Sequence, residues 1–300
     1  MNNRAMDYEA FKRTLQEKIQ ALVDKPINFL ETESVGINET LEGLILKLDG
    51  ENAAPIIYPQ KLYEGYCVGI PLPSIAASAA DIVSKACEYP KVPDLTSENA
   101  QNCIRFALIN KDRNQKLLTT CPYKEVLDLV AIPRWYTDRG SFLVDNDIMQ
   151  ILGLTEKDVL RIAERNIESE HYICKNIKSM ICEAELASGM DAELLDELYL
   201  AKKSPLHILT NRTGIDGSRA VLSDQFLQEV AQRLRADELC LLPSSRDEML
   251  AADIAVMGDI TKLKNKVMSV NRNPGAVQPR NVLSDSVYSY NARTHSLSVL

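Results

Sequence analysis

Short apolar runs that end at turn residues are mixed with helical periodicity in the C-terminal third of the chain, and this mixture most constrains the fold. Residues 206–209 and 239–242 are apolar runs short enough for buried strands. Residues 224–234, between them, carry apolar side chains at the three- and four-residue steps of a helix. Because helices and hairpins follow each other without regular βαβ alternation, the sequence indicates an α+β protein with antiparallel or mixed sheets and interleaved helices.

Further elements are expected in this C-terminal mixed α+β region, residues 204–300. They are strands at 219–222 and 249–256, a helix at 260–270 and a hairpin over 287–299. The helix at 224–234 is expected to lie on a sheet that contains the strands 206–209, 219–222 and 239–242, all largely buried. Strand pairing is expected to stop at Pro243, which has no backbone N–H to donate.

The N-terminal region, residues 1–90, is expected to form a helix followed by a small antiparallel sheet. Apolar side chains at helical steps predict a helix over residues 8–23, which Pro26 stops. The runs that follow predict strands at 27–35, 41–48 and 55–62. Ser74 is a suitable cap for a helix that runs to residue 89.

The middle region, residues 91–203, is expected to be mostly helical. Thr155, backed by Asp158, predicts the start of a helix that runs to residue 167. Residues 123–132 are expected to be helical or mixed, 140–151 a hairpin turned at 145–147, and 191–199 an acidic helix. The three regions are also compatible with one continuous domain.

The net charge and the cysteine usage indicate which partners and which cellular compartment to expect. The chain has 34 Lys and Arg against 42 Asp and Glu, a net charge of -8, and affinity for nucleic acid comes largely from cation contacts. Nucleic acid is therefore not the expected partner. Seven cysteines, an odd number without Cys-x-x-Cys spacing, are typical of reduced thiols in a cytoplasmic protein. No apolar run approaches the roughly 20 residues that span a bilayer, and no secretory signal is visible.

Many catalytic chemistries lack their motifs in this sequence. The phosphate-binding, dinucleotide-binding, nucleophile-elbow and His-Glu-x-x-His zinc motifs are all absent. With three histidines, a zinc site would need His171 together with Cys174 and Cys182, and Cys182 lies two helical turns beyond Cys174. We therefore expect neither a metal nor a cofactor.

The segment after the apolar run 239–242 permits two interpretations. Ser244 or Ser245 is a candidate nucleophile, with Asp247 or Glu248 as its orienting carboxylate and His207 as its base. Alternatively, the two serines and the two carboxylates form a hydrogen-bonded turn at the end of a strand.

Candidate interaction residues lie at strand ends and in one aromatic-basic segment. Arg134, Trp135 and Tyr136 are adjacent, and they indicate either an exposed recognition patch or a Trp buried under a loop. Arg134 with Arg139 and Lys124 is the candidate basic patch for a nucleic acid. Three polar residues at strand ends complete the set of candidates, namely Asn211, Ser284 and Asp285.

The C-terminal motifs resemble those of domain of unknown function family 5688, a group of uncharacterised bacterial proteins found mostly in Clostridia. The motifs are Leu-Thr-Asn at 209–211, a Gly-small-apolar segment at 217–222, Leu-Pro-Ser-Ser at 242–245 and Val-Leu-Ser-Asp-Ser-Val-Tyr at 282–288. The resemblance covers most of the chain and is specific after about residue 204. Members often have His-Glu after Leu-Pro-Ser-Ser, where this chain has Asp247 and Glu248. If that His is catalytic in relatives, this chain lacks it.

The resemblance implies an accessory role on mobile genetic elements and supplies no reaction. Together with the missing catalytic motifs, it predicts a non-catalytic factor that binds an unknown protein partner. A hydrolase that uses Ser244 or Ser245 is the alternative, and nucleic-acid binding through the basic patch is a further one.

Overall fold

The structure is a computed structural model that describes residues 6–50, 54–88, 95–137, 140–187 and 204–300. The chain divides into two compact units, Met1–Pro93 and Asp94–Leu300, called here the N-terminal and C-terminal units. Strand pairs in the described residues are antiparallel and form three sheets. The expected α+β class is confirmed.

In its described residues, the N-terminal unit packs three helices and a three-stranded sheet around one core. Its elements are α1 (Tyr8–Ala21), β1 (Ile27–Gly36), β2 (Glu39–Leu48), β3 (Ile56–Ile57), α2 (Pro59–Cys67) and α3 (Leu72–Glu88), with strand order β1-β2-β3. Phe11, Leu15 and Ile19 lie on one face of α1 and are fully buried in this core. The strand expected at 55–62 is wrong beyond Ile57, because Pro59 occupies the first turn of α2, where its fixed φ favours a helix.

The C-terminal unit contains two sheets and six helices in its described residues. The first half holds α4 (Ser97–Cys103), β4 (Ile104–Asn110), β5 (Lys124–Val126), β6 (Leu129–Thr137), β7 (Gly140–Leu143), α5 (Asn146–Leu152), α6 (Glu156–Glu168), β8 (Tyr172–Asn176) and α7 (Ile177–Ala187). The second half holds β9 (His207–Asn211), α8 (Asp224–Leu234), β10 (Glu238–Ser245), β11 (Glu248–Asp253), α9 (Ile260–Asn271), β12 (Tyr288–Asn291) and β13 (Ser296–Val299).

Both sheets of the C-terminal unit contribute to one hydrophobic core. The six-stranded sheet has the order β13-β12-β10-β11-β9-β8, and the four-stranded sheet has β6 between β4 on one side and β5 and β7 on the other. Trp135 of β6, Phe226 of α8 and Leu239 of β10 all belong to this core. Residues 91–203, expected to be mostly helical, therefore contain the four-stranded sheet, and their strand β8 pairs with β9.

Three further expected elements differ in the structure. Residues 219–222 are not a strand but part of a buried 3-10 helix, Gly217–Leu222, because Asp216 turns the chain at a positive φ of 50°. Residues 123–132 lie in the hairpin of β5 and β6. The hairpin expected at 140–151 is replaced by α5, because Asp145 accepts a hydrogen bond from the backbone N of Ile148 and so caps a helix.

Other expected elements are confirmed. The helix at 224–234 has the expected bounds, and its Ser223 cap accepts from the backbone N of Phe226. Thr155 and Asp158 form a reciprocal capping box at the start of α6. The terminal hairpin is formed by β12 and β13. The acidic helix expected at 191–199 lies outside the described residues.

Strand β10 continues through Pro243. The expectation that strand pairing stops at this proline is therefore wrong for the side that faces β11. Pairing with β11 runs on to Ser245 with a register shift after Pro243, whereas pairing with β12 ends at Leu241. Pro243 therefore lies where β10 has a neighbour on one side, and a missing N–H is tolerated there.

Candidate functional site

The serine segment forms a hydrogen-bonded turn between β10 and β11. Ser244 Oγ donates to Glu248 Oε1 over 2.8 Å, and the backbone N of Asp247 donates to Ser245 Oγ over 3.1 Å. Asp247 Oδ1 accepts from the backbone N of Asp216 over 2.9 Å. Both serines and both carboxylates are thus engaged in the turn and in the loop that it supports.

His207 lies away from the serines that it was expected to activate. It is in β9, opposite Ala251 of β11, and its Nδ1 lies 3.0 Å from the carbonyl oxygen of Pro205. Because β11 lies between β9 and β10, His207 and Ser244 are on strands about 10 Å apart. Burial lowers the pKa of His207. The structure does not bring the expected nucleophile and base together.

Asn211 and Trp135 are buried and present almost no surface to a partner. Asn211 is 2% exposed, and its side chain holds the following loop by accepting from the backbone N of Gly214 and donating to the carbonyl oxygen of Ile215. Trp135 is also 2% exposed and stacks on Phe142, so the interpretation of a buried Trp is the one that the structure shows.

Ser284 is likewise buried, whereas Asp285 is exposed. Ser284 Oγ donates to Asp128 Oδ2 over 2.7 Å, and Tyr288 Oη donates to the other oxygen of the same carboxylate over 2.7 Å. Asp285 accepts from Asn271 Nδ2 over 2.7 Å. This cluster ties the loop before β12 to the turn before β6.

Of the expected basic patch, the structure describes Arg134 and Lys124. Arg134 is largely buried and lies 3.7 Å from the carboxylate of Asp216, and Lys124 pairs with Glu164 over 2.7 Å. Arg139 lies outside the described residues.

A buried charge network lies beside the turn, with Asp216 at its centre. The Asp216 side chain is 1% exposed, forms an ion pair with Arg246, and accepts a hydrogen bond from Tyr136 Oη over 2.8 Å. Burial on its own raises the pKa of the Asp216 carboxyl, but the charges of Arg246 and Arg134 and the Tyr136 hydroxyl outweigh it, so the pKa stays below its usual value. One buried carboxylate therefore faces two arginines.

A second pair, Arg219 with Glu170, extends the network towards the surface. Arg219 Nε and Nη2 donate to the two carboxylate oxygens of Glu170 over 2.7 and 2.6 Å, the bidentate geometry that a guanidinium favours. The guanidinium also stacks on the ring of Tyr136 at 4.5 Å from its centroid. The 3-10 helix Gly217–Leu222 places Arg219 here, so the element that was expected to be a strand positions the site.

An open cavity of about 280 Å³ lies against this pair. Arg105 of β4 lines it, with its Nε 3.9 Å from Glu170 Oε2 and 30% of its side chain exposed. Arg105 makes no hydrogen bond through its side chain among the described residues, so its donors are available to a ligand. Other lining residues are Tyr136, Thr137, Thr213 and Ile215.

The cavity suits an anionic group because its wall carries two arginines and only one glutamate. Arg219 and Glu170 neutralise each other, which leaves the Arg105 guanidinium as the net charge at the wall. A guanidinium presents five N–H donors in a planar fork that matches a carboxylate. We call this cavity the Arg105 pocket.

A second cavity, of about 290 Å³, is also lined by Glu170 and has the opposite charge. Glu168, Glu229 and His171 are among its lining residues. In the described ranges, no group of three or more His, Cys, Asp or Glu residues is arranged to hold a metal ion.

Sequence reasoning missed most of the residues that build the Arg105 pocket. A signal was present, because Arg105 is a single charge within the apolar segment Ile-Arg-Phe-Ala-Leu-Ile and Arg219 directly precedes Ala-Val-Leu. Charged residues in buried segments require a partner. Their common partner, Glu170, lies far from both along the chain, so the pairing itself was not visible.

None of the helices in the described part of the chain is both long enough and apolar enough to cross a membrane. Comparisons with curated proteins and with solved structures gave no match. The model of one protein family, described as a family of unknown function (DUF5688), matches residues 8–292. This match spans both compact units and nearly the whole sequence, and on that basis the chain belongs to the DUF5688 family.

Proposed function

We propose that this protein is a non-catalytic binding protein that recognises a partner protein through an acidic side chain held in the Arg105 pocket. The observation that carries the proposal is the Arg105 guanidinium, which faces an open cavity with its hydrogen-bond donors unused in the described structure. A carboxylate of the partner would accept two parallel hydrogen bonds from it.

The rest of the pocket wall supports a polypeptide as the ligand. Ile215 is 48% exposed and lines the pocket, and Tyr136 is a further lining residue. Apolar and aromatic surface next to an arginine is the composition that protein interfaces favour at their centres. An acidic residue with an apolar neighbour in the partner would therefore fill both parts of the pocket.

The hydrogen bonds of the serine segment support a binding role over hydrolysis. In the alternative, a hydrolase would use Ser244 or Ser245, yet Ser244 donates to Glu248 and the nearest expected base is two strands away. The hydrolase alternative predicts that Ser244→Ala abolishes hydrolysis of model esters. Our proposal predicts no such activity in the wild-type protein.

The cellular role that we propose is an accessory factor of a mobile genetic element in a clostridial cytoplasm. The family resemblance and the cysteine usage support this role. The proposal does not depend on the identity of the partner.

The test compares Arg105→Gln with Arg113→Gln, a matched charge change at an exposed arginine in the same unit. An array of immobilised peptides that vary in Asp and Glu content is probed with each protein. We expect the wild type and Arg113→Gln to bind acidic peptides with an apolar neighbour, and Arg105→Gln to bind them at least about tenfold more weakly. Equal binding by Arg105→Gln, or binding that ignores acidic residues, would overturn the proposal.

A further inference from the structure

The charges of this acidic protein are unevenly distributed around α9. Between Asp259, which caps α9, and Asp285 the sequence contains five Lys and Arg residues and no further Asp or Glu, although the whole chain has a net charge of -8. A local excess of cations creates a positive potential that the net charge does not reveal. The segment therefore carries an excess of positive charge within an acidic chain.

The solvent face of α9 is a continuous polar stripe. Every member of the stripe is exposed and can donate a hydrogen bond. The members, which recur at the spacing of one helix face, are Thr261, Lys262, Asn265, Lys266, Ser269 and Arg272. We call this face the basic stripe.

The cations of the basic stripe are not used to hold the fold. Lys262, Lys266 and Arg272 form no ion pair within the part of the chain that the structure describes. By contrast, Lys111 and Lys175 each pair with a glutamate. The three cations are thus available to an external anion.

We infer that the basic stripe binds the phosphate backbone of duplex DNA. The stripe contains no apolar or aromatic side chain, so it lacks the buried anchors of a protein interface and the stacking platforms that bind single strands. Lys, Arg, Ser, Thr and Asn side chains are the groups that contact phosphates. The B-form major groove admits an α-helix, whereas the deep, narrow A-form groove of duplex RNA does not.

The opposite face of α9 makes a membrane an unsuitable ligand. Val267 is buried against Cys240 and Val287, and Leu263 packs against the same cluster. An amphipathic helix binds a membrane by inserting its apolar face. In α9 that face is already covered by the six-stranded sheet, and only the cationic face is free to bind.

The binding is expected to be weak, independent of base sequence and strongly dependent on salt. Each phosphate neutralised contributes a slope of about -0.9 to the plot of log K against log salt concentration. Three cations therefore predict a slope near -3 for the wild type, and removal of two of them predicts a slope near -1.

The test measures fluorescence anisotropy of a short labelled DNA duplex, titrated with the full chain from about 50 mM salt upwards. The test variant is Lys262→Gln/Lys266→Gln, and the matched control is Lys47→Gln/Lys157→Gln, two exposed lysines on other surfaces. We expect the control to bind as the wild type does, and the test variant to bind at least about tenfold more weakly with the smaller slope.

Several outcomes would overturn the inference. They are no binding by the wild type at low salt, equal binding by the test variant, and tighter binding to duplex RNA or to phosphatidylserine vesicles than to duplex DNA. Circular dichroism checks that the variants are folded. Because the basic stripe does not include the Arg105 pocket, Arg105→Gln is expected to keep its DNA binding, so the two proposals fail independently.

Discussion

Asp216 shows how one residue holds together distant parts of the C-terminal unit. Its buried carboxylate meets Arg246 from the turn after β10, Arg134 from β6 and the hydroxyl of Tyr136. Burying an unpaired carboxylate costs free energy of desolvation, and here that cost is offset because the partners of Asp216 are buried with it. The network thus holds in place Tyr136, which lines the Arg105 pocket.

Asp216→Asn is expected to lower the free energy of unfolding by about 3–5 kcal/mol, because it leaves Arg246 and Arg134 buried without their counter-charge. Urea unfolding measures the loss. Asp112→Asn, at an exposed position of the same unit, is the control and is expected to change stability by less than about 0.5 kcal/mol. A similar loss in both variants would contradict the structural role of the network.

The loss of stability caused by Asp216→Asn is expected to depend on pH. The pKa of Asp216 lies below its usual value in the folded protein, so its charge stabilises the fold above about pH 4. That stabilisation is lost as the pH falls through the lower, folded pKa. The stability difference between wild type and Asp216→Asn is therefore expected to narrow in acid, and a constant difference down to pH 2 would count against this account.

Gly217 is required by the close approach of two chain segments. A Cβ at this position would lie 2.1 Å from Thr210 Oγ1 and 2.4 Å from the carbonyl oxygen of Asp247. Since the Asp247 oxygen is backbone, Gly217→Ala is expected to destabilise the unit by at least about 2 kcal/mol. Gly275→Ala is the control, because its new methyl group would meet only the flexible side chain of Asn273. Thermal unfolding of both variants tests the difference.

At the scale of elements, the sequence predicted those helices and hairpins whose apolar pattern is complete within the element itself. The helix at 224–234 and the terminal hairpin carry complete patterns of their own, and both are present. The run 219–222 was too short to carry a period, and a tertiary contact decided its conformation instead. Likewise, residues 140–151 contain Asp145, which is equally suited to a turn and to a helix cap.

Two helix caps are expected to differ in their contribution to the free energy of unfolding. Thr155 is exposed and caps α6, so Thr155→Ala is expected to cost about 1 kcal/mol. Ser223 is 2% exposed, caps α8 and also donates to Glu168 over 2.7 Å, so Ser223→Ala is expected to cost about 2 kcal/mol.

Urea unfolding compares the two cap variants with Ser269→Ala, an exposed change within α9 that is expected to stay within about 0.5 kcal/mol of the wild type. If Thr155→Ala proved more costly than Ser223→Ala, the assignment of the additional bond to Glu168 would be wrong.

At the scale of the whole molecule, each compact unit has its own core. The core around Phe11 and Leu44 consists of residues before 89, and the core around Trp135 and Leu239 consists of residues after 94. A fragment of residues 95–300 is therefore expected to unfold cooperatively on its own. Differential scanning calorimetry of the fragment tests this, and the absence of a cooperative transition would contradict it.

The candidate site was less predictable than the fold because its residues come from separate elements. Arg105, Glu170 and Arg219 lie on β4, after α6 and on the 3-10 helix, and only the completed packing brings them within contact distance. The Ser244 segment attracted notice because its residue types are adjacent in sequence, yet they satisfy one another locally. Adjacency in sequence identified a turn, whereas the pocket required tertiary structure.

The strand order of the six-stranded sheet has a consequence for synthesis on the ribosome. β10 lies between β11 and β12, and β12 begins only at Tyr288. At about 5–20 residues per second, the N-terminal unit is complete roughly 10–40 seconds before the last strands of this sheet are translated. In the last part of that interval, from the completion of β10 at Ser245 until β12 is translated, one edge of β10 is without its neighbour. The nascent chain is therefore exposed to chaperones and to aggregation mainly through its larger, later unit.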